Sequence, residues 1–446
     1  MELLSRLKAL LRHRIFRRLL VVRIVTQLGD GLVQVGMLAY ALLSPQHQPN
    51  GWAIVAVLAI NYLPFSLVAP LVAPLLDYWP RQRSALCTDI ARTGLCALVA
   101  WQVLDSSDSA AEPVVVYVLL LLISSLNRFV LAGLAAGLAD TVDDDEYLHA
   151  SAVMPVIGPT TLVIAGVIAG GIRVLSDGVI STNAADAIVF ATAAATFAVS
   201  VILLARIGRL ELGPVLRETE TVAASEAPYR LATAWAGVVR ALRYLKTKPI
   251  AMQGLGVVAI ERTSYGVLLT VTILAYRNAF HGGTDLSAAI ADMGIWFIAS
   301  GVGFALSGVI APIIAGRLKV RNAMLAVLAL HALTQAVPGS ILMRPALVVA
   351  ALLGGVCIQS TKVYVDTLVQ AHISDNYRGQ VFMLYDIINN VTLVLGALLA
   401  AIAAPSTGLS LPVYLGLALC LLLGAIWFAH ASAPYRAAFD KGSPFN

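Results

Sequence analysis

The chain has 446 residues, of which 59% are hydrophobic and only 12% charged, and its formal net charge is +5. Because soluble domains carry about 25% charged residues, this composition excludes a cytosolic enzyme, a secreted disulfide scaffold and a disordered chain. The four cysteines lie in apolar stretches without Cys-x-x-Cys spacing, so the sequence predicts neither a metal site nor a disulfide framework. A polytopic helical membrane protein that needs no cofactor remains.

Apolar runs bounded by charged or turn residues predict twelve transmembrane helices, since each span needs about 20 apolar residues. The predicted spans are 19–44, 51–75, 84–104, 113–138, 150–173, 185–207, 250–277, 286–314, 322–342, 345–369, 380–404 and 411–432. The chain therefore divides into a basic amphipathic segment, a six-helix bundle, a linker, a second six-helix bundle and a tail: 1–18, 19–207, 208–249, 250–432 and 433–446. Within the linker, 229–248 has helical apolar spacing and could lie along the membrane surface.

The distribution of basic residues predicts the orientation. With the N-terminus inside, 23 Arg and Lys side chains fall in inner segments or the adjoining span ends, and three fall in the outer loops or their adjoining span ends. Inner loops of membrane proteins are enriched in Arg and Lys, so we expect both termini and the linker to be cytoplasmic. The same split explains the positive charge without nucleic acid, and the Arg-rich, Ala-rich composition favours a bacterial inner membrane.

The two halves of the chain repeat three features in the same order. An Ala-Pro pair followed by aliphatic and alternating basic residues closes span 2 and span 8, an Asp-Thr pair ends spans 4 and 10, and an acidic residue lies midway along spans 1 and 7. The matched positions are 73–83 with 311–321, 140–141 with 366–367, and Asp30 with Glu261. Three matches in order indicate two pseudo-symmetric six-helix halves.

The loop after span 2 resembles the signature of the major facilitator superfamily. That signature has a small residue, three apolar positions, an aspartate and alternating basic residues, which correspond here to Asp77, Arg81 and Arg83; Tyr78 and Pro80 depart from it. Residues 375–382 at the start of span 11 are similar to a motif of bacterial multidrug and macrolide exporters. The resemblance implies two six-helix bundles related by a pseudo-twofold axis and cargo binding at the midplane.

Charged residues within spans need a partner or a wet cavity, and they mark functional positions. Asp30 on span 1 and Arg128 on span 4 are expected to form a pair that exchanges a proton as it separates and closes. Glu261 on span 7 is predicted to be a second proton carrier or a contact for a cationic substrate. The alternative for each is a permanent structural ion pair.

A second group is predicted to gate the inner side. A carboxylate after span 2 could meet the positive N-terminus of span 11, and charges at the start of span 3 could join this network. The gating candidates are Asp77, Arg81, Arg83, Asp89, Arg92 and Arg378. The alternative for the basic residues of the loop is a purely topological role.

Polar and aromatic residues within spans are the candidates for the cargo cavity. Three of them recur on one face of span 11, where helix-to-helix hydrogen bonding is an equal alternative. The candidates are Gln34, Asn61, Tyr62, Asn127, Arg262, Tyr265, Gln359, Asp386, Asn389 and Asn390. Lys362 and Asp366 have the spacing of a local ion pair on span 10.

The sequence and the resemblance together predict a transporter that is not an enzyme. There is no His-Glu-x-x-His motif and no Walker loop, so an ion gradient must drive any uphill transport. We expect export of a small amphiphilic or hydrophobic compound by proton antiport, in a monomer whose partners are that compound and the lipid bilayer. The alternatives are a lysolipid or lipid flippase of the same fold and a proton-independent facilitator.

Overall fold

The structure is a computed structural model in which every described segment of regular structure is helical. It describes residues 10–43, 50–67, 80–105, 112–138, 141–143, 147–176, 178–209, 211–213, 227–282 and 286–439. Within these ranges, nine helices are long and apolar enough to cross a membrane, and two shorter apolar helices accompany them. The protein is therefore an all-α, multi-pass membrane protein.

The helices up to the linker are α1 (Arg14–Leu43), α2 (Gly51–Leu67), α3 (Arg81–Leu104), α4 (Glu112–Gly137), α5 (Tyr147–Ser176) and α6 (Thr182–Ala205). The linker contributes α7 (Ala227–Leu245), which confirms that a helix forms where the apolar spacing predicts one.

The helices after the linker are α8 (Pro249–Leu274), α9 (Leu286–Leu318), α10 (Val320–Ala336), α11 (Arg344–His372), α12 (Asp375–Ala403), α13 (Leu411–Ser432) and the short α14 (Arg436–Phe439). A π-helical turn, Ala275–Phe280, extends α8. Twelve of the described helices coincide with the twelve predicted spans to within a few residues, except that the last part of span 2 lies outside the described residues.

The chain packs as two compact units. Unit 1 comprises Met1–Ser44 and Leu67–Trp235, and unit 2 comprises Pro45–Ser66 and Ala236–Asn446. Helix α2 thus groups by its contacts with unit 2, where a Cβ atom on Gly51 would lie 2.6 Å from the Cα atom of Ala401. The bundle boundaries at 207 and 250 stay predictions from the sequence.

The two units use the same pattern of helix packing. In unit 1, α1 packs against α5 and α6, and α3 packs against α4 and α6. In unit 2, α8 packs against α12 and α13, and α10 packs against α11 and α13. Equivalent spans therefore meet in each unit, as the sequence repeat predicts.

Polar contacts at the helix ends repeat as well. Gln82 at the start of α3 donates to the carbonyl oxygen of Leu204 near the end of α6, at 2.8 Å. Arg321 at the start of α10 donates to the carbonyl oxygen of Ala429 near the end of α13, at 2.9 Å. Both contacts are made to carbonyl groups in the last turn of a helix, where intrahelical partners run out.

Large apolar side chains are exposed along the outer faces of the spans. Trp101, Val167, Ile298 and Ile402 are each at least 66% exposed. A soluble protein does not leave so many large apolar side chains in contact with water, so these faces fit contact with lipid. Several charged side chains instead lie buried in the interior of each unit.

Candidate functional site: two buried ionic clusters

The interior of unit 1 holds an ionic cluster centred on Arg92 of α3. Its side chain is 0% exposed, and its guanidinium donates to Asp30 of α1 and, at 2.9 Å, to Asp89 one turn earlier. Arg92 also donates to the hydroxyl of Thr26 at 3.1 Å. One cation is therefore shared by two carboxylates deep in the membrane-spanning part of the unit.

The two carboxylates differ in how many other partners they have. Asp89 accepts from the hydroxyls of Ser200 at 2.6 Å and Thr26 at 3.3 Å, and it is 0% exposed. Asp30 accepts from the side-chain amide of Gln27 at 3.0 Å and keeps 6% exposure. Asp89 is thus fully enclosed by fixed donors, whereas Asp30 depends on Arg92 and on its own helix.

The ring of Phe197 on α6 covers the cluster from a third side. The guanidinium carbon of Arg92 lies 3.9 Å from the centre of this ring, which is a cation–π distance. A Cβ atom on Gly29 would lie 2.6 Å from the same ring. Gly29 therefore lets α1 approach α6 closely enough for Asp30 to reach Arg92.

The interior of unit 2 holds a second cluster, formed by Glu261 of α8 and His331 of α10. Oε2 of Glu261 and Nδ1 of His331 share a hydrogen bond of 2.6 Å, and the two residues are 2% and 0% exposed. Nε2 of His331 and Oε1 of Glu261 have no hydrogen-bond partner among the residues that the structure describes. The pair is thus a buried acid and base with spare hydrogen-bonding capacity.

The clusters occupy equivalent places in the two units. Each joins an acid on the first span of its half to a basic side chain on the third, Asp30 to Arg92 and Glu261 to His331. The loops that close spans 2 and 8 are 238 residues apart. This offset puts the counterpart of Arg92 at position 330, next to His331.

The structure gives Asp30 a partner that the sequence did not predict. The guanidinium of Arg92 contacts Asp30, and Arg128 on α4 is half-buried. The sequence predicts that Arg92 and Asp89 belong to an inner gate at the start of span 3. The structure places Arg92 about three turns inside α3, within the core of unit 1, because α3 packs its buried face directly against α6.

The other predicted gating residues lie apart from this cluster. Asp77 lies outside the described residues, as does the side chain of Arg378 near the start of α12. Arg81 donates to the carbonyl oxygen of Leu212 at 3.1 Å, and Arg83 is exposed. Arg81 therefore ties the start of α3 to the segment that follows α6.

The predicted cavity residues are spread over both units. In unit 1, Gln34 is half-buried and Asn127 is buried; in unit 2, Asn390 is buried, Asp386 is exposed, and the remaining six are half-buried: Asn61, Tyr62, Arg262, Tyr265, Gln359 and Asn389. Unit 2 brings three of them together, because Arg262 interacts electrostatically with Tyr62 and Tyr265. The predicted ion pair of Lys362 and Asp366 is confirmed at 2.7 Å.

Comparison with known proteins identifies the family. The chain is 30% identical over 403 residues to an uncharacterized MFS-type transporter of Mycobacterium tuberculosis, with 88% of this chain and 86% of that protein covered. A transporter of the same description from Mycobacterium bovis matches equally. The chain belongs to the major facilitator superfamily. It is therefore a membrane transporter of the secondary type, although no family model matches it.

Solved structures of the superfamily share its fold. A peptide transporter of the POT group superposes with a TM-score of 0.69 at 13% identity, covering 96% of this chain and 95% of that one. The nucleoside transporter NupG gives 0.64 at 12% identity, with 94% and 99% covered. A bacterial homologue of the iron transporter ferroportin in an outward-facing state gives 0.56 at 17% identity, with 94% and 100% covered. At these identities the likeness establishes the fold and says nothing of cargo.

His331 is a functional candidate that the sequence pattern does not single out. A lone histidine in an apolar span is ambiguous, because buried histidines are commonly structural. The internal repeat gives one indication of its role. The 238-residue offset between the matched loops places the counterpart of Arg92 at position 330, next to His331.

Proposed function

We propose that this transporter exports a small amphiphilic or hydrophobic compound in exchange for protons, by alternating access. The observation that carries the proposal is the pair of buried ionic clusters, one in each unit, at equivalent positions of the repeat. A buried charge in a membrane span is costly and marks a candidate functional position. The protein works without a cofactor, as a monomer.

The charge balance of the unit 1 cluster favours Asp30 as the proton carrier. Arg92 alone contacts two carboxylates, so the contacting groups carry one net negative charge when both carboxylates are ionised. Arg23, two turns before Asp30 on α1, interacts electrostatically with Asp30 and donates to the carbonyl oxygen of Leu131 at 3.3 Å. A net buried charge is unfavourable, and a proton on one carboxylate removes it. Asp30 has fewer fixed donors than Asp89 and is the carboxylate that exchanges it.

Coupling of cargo transport to protons then follows from a change in the distance between Arg92 and Asp30. When Arg92 contacts Asp30, it favours the ionised carboxylate, and when the contact opens, burial favours the protonated form. Two access states that differ in this contact bind and release a proton in turn. Glu261 and His331 repeat the arrangement in unit 2, and Asp77 with Arg378 and the basic loop residues serve the inner gate.

The orientation is part of the proposal. Both termini and the linker with α7 lie in the cytoplasm, and the protein resides in the inner membrane of a bacterium. The distribution of 23 inner and three outer basic residues supports this. A green fluorescent protein fused after residue 446 should fluoresce, whereas a fused periplasmic alkaline phosphatase should stay inactive.

Cargo is the first quantity to measure. A strain that overproduces the transporter and a strain that lacks it are compared on a panel of toxic amphiphilic compounds, with lipid composition analysed in parallel. Resistance that rises with expression and falls on deletion supports export. A change confined to the leaflet distribution of lysolipids would instead establish a lipid flippase and contradict the proposed cargo class.

The coupling site is tested with the cargo found, in proteoliposomes driven only by a pH difference. Asp30→Asn keeps the shape and hydrogen bonding of the side chain but removes its proton exchange, so uphill transport should stop while cargo counterflow persists. The matched control is Asp186→Asn, because Asp186 is also fully buried in unit 1 and accepts from Arg173 at 3.0 Å. If Asp30→Asn still concentrates cargo, Asp30 is not the coupling site.

A further inference from the structure

Unit 2 contains a crevice between its helices, at the end where α8 and α10 finish and where α11 and α13 begin. It encloses about 340 Å³ of empty space, its open mouth included, and its walls come from α8 to α13 except for α12. Polar groups line it at several levels: Tyr265, Thr272, Ser300, Gln335 and Tyr414. Most of the lining is apolar, and these five polar side chains interrupt it.

Gly354 separates the crevice from the Glu261–His331 pair. It lines the crevice, and a Cβ atom built on it would lie 3.5 Å from Nε2 of His331 and 3.9 Å from Nε2 of Gln335. The absence of a side chain at 354 thus leaves the free ring nitrogen of His331 next to the crevice. Gln335, one turn beyond His331 on α10, continues the polar wall toward the mouth.

Two buried atoms on this route have unused hydrogen-bonding capacity. Nε2 of His331 and Oε1 of Gln335 belong to side chains that are both 0% exposed, and neither atom has a partner within the described part of the chain. Buried polar groups that lack a protein partner are normally satisfied by water where there is room for it. Inside its open mouth the crevice has room for about one water molecule beside these atoms.

We infer that the crevice is a water-filled half-channel that carries protons between the mouth of unit 2 and the Glu261–His331 pair. Water relays the proton from the mouth past Gln335 to Nε2 of His331, and the hydrogen bond from Nδ1 passes it to Glu261. The proton-carrying role of the crevice rests on the proposed function, in which Glu261 takes part in coupling. The presence of water in the crevice does not depend on that function. In the proposed orientation the mouth faces the outside, where protons enter.

Few other titratable groups face the pair. On α11 the thiol of Cys357 interacts electrostatically with Glu261. On α8 the next residue is Arg262, which interacts with Tyr385 of α12. Among the described residues, His331 is the basic group in direct contact with the carboxylate of Glu261, so it is the relay that the half-channel needs.

The presence of water is tested by hydroxyl-radical labelling of the full-length protein in lipid nanodiscs, which oxidises side chains beside bound water and needs no cargo. Tyr414 in the crevice and Tyr364 outside it are 1% and 0% exposed, so they form a matched pair. We expect Tyr414 to be labelled at least five-fold faster than Tyr364. Equal rates would show a dry crevice and overturn the inference.

The connection between the crevice and the Glu261–His331 pair is tested with Gly354→Ala. The added methyl group meets its neighbours at ordinary contact distance, so the unit should fold, but it fills the gap in front of His331. Gly416→Ala is the control, since its Cβ atom would meet open space on α13. We expect Gly354→Ala, and not the control, to reduce labelling of His331 several-fold while that of Tyr414 is unchanged.

Proton flow is measured by hydrogen–deuterium exchange at the ring of His331, followed by infrared spectroscopy with His331→Asn as the reference. Gly354→Ala should slow this exchange at least ten-fold. Unchanged exchange would overturn the half-channel as the proton route, even if Tyr414 is labelled. If exchange slows but Glu261→Gln leaves uphill transport intact, the half-channel stands and the coupling role of Glu261 falls.

Discussion

Replacing Arg92 with leucine removes the one cation that Asp30 and Asp89 share. The guanidinium is fully buried and also donates to Thr26. Breaking a buried ion pair by removing one partner costs about 3–5 kcal/mol, because the remaining charge stays buried without compensation. Asp89 keeps its bonds from Ser200 and Thr26, so most of the loss should come from Asp30.

A second substitution separates this cause from lost packing. Asp30→Asn in the Arg92→Leu background removes the uncompensated charge, so the double variant should be more stable than the single Arg92→Leu variant. Neighbouring residues in one network show coupling energies of about 0.5–3 kcal/mol, and we expect the upper part of that range here. Both changes occur within unit 1 and leave the pair of Glu261 and His331 intact.

The free energy of unfolding is measured by reversible detergent titration, with a thiol-reactive dye as the probe. Cys96 and Cys357 are buried and react on unfolding, whereas Cys87 and Cys420 are exposed and are replaced by serine in every variant. A loss below about 1 kcal/mol for Arg92→Leu, against the 3–5 kcal/mol expected of a buried pair, would refute the bridging role. So would a double variant that is less stable than the single one.

Three further predictions concern other parts of the chain. Gly266→Ala should prevent stable folding, since its Cβ atom would overlap the backbone of α12, while Gly301→Ala, which meets open space, should leave the melting temperature within a few degrees. A hydrogen bond from Ser374 lowers the pKa of Tyr244 on α7; Ser374→Ala should therefore raise the pH at which the Tyr244 phenolate forms in an ultraviolet titration, with Tyr244→Phe as the reference. Lys362→Gln should cost less than about 0.5 kcal/mol in the same detergent titration, because its ion pair is local and partly exposed; a loss above 2 kcal/mol would contradict this.

The amino-acid composition and the local pattern of apolar residues are sufficient to predict the helical architecture. A helix in lipid must satisfy its backbone internally and bury about 20 apolar residues, so the spans can be read directly from apolar runs. The bounds of α13, Leu411–Ser432, equal the predicted span, and α7 forms where the linker shows helical spacing. The local pair of Lys362 and Asp366 was equally predictable, because its spacing lies on one helix.

The partners of the buried acids were decided by tertiary packing. The sequence shows how deep Asp30 lies in its span, but not which of Arg92 and Arg128 faces it, because that depends on the rotation of each helix about its axis and on which helices meet. The close approach at Gly29 brings α1 against α6, and α3 packs on the same helix, so Arg92 comes to Asp30. In unit 2 the equivalent packing brings His331 to Glu261. A single histidine in an apolar span forms no charge pattern from which this contact could be predicted.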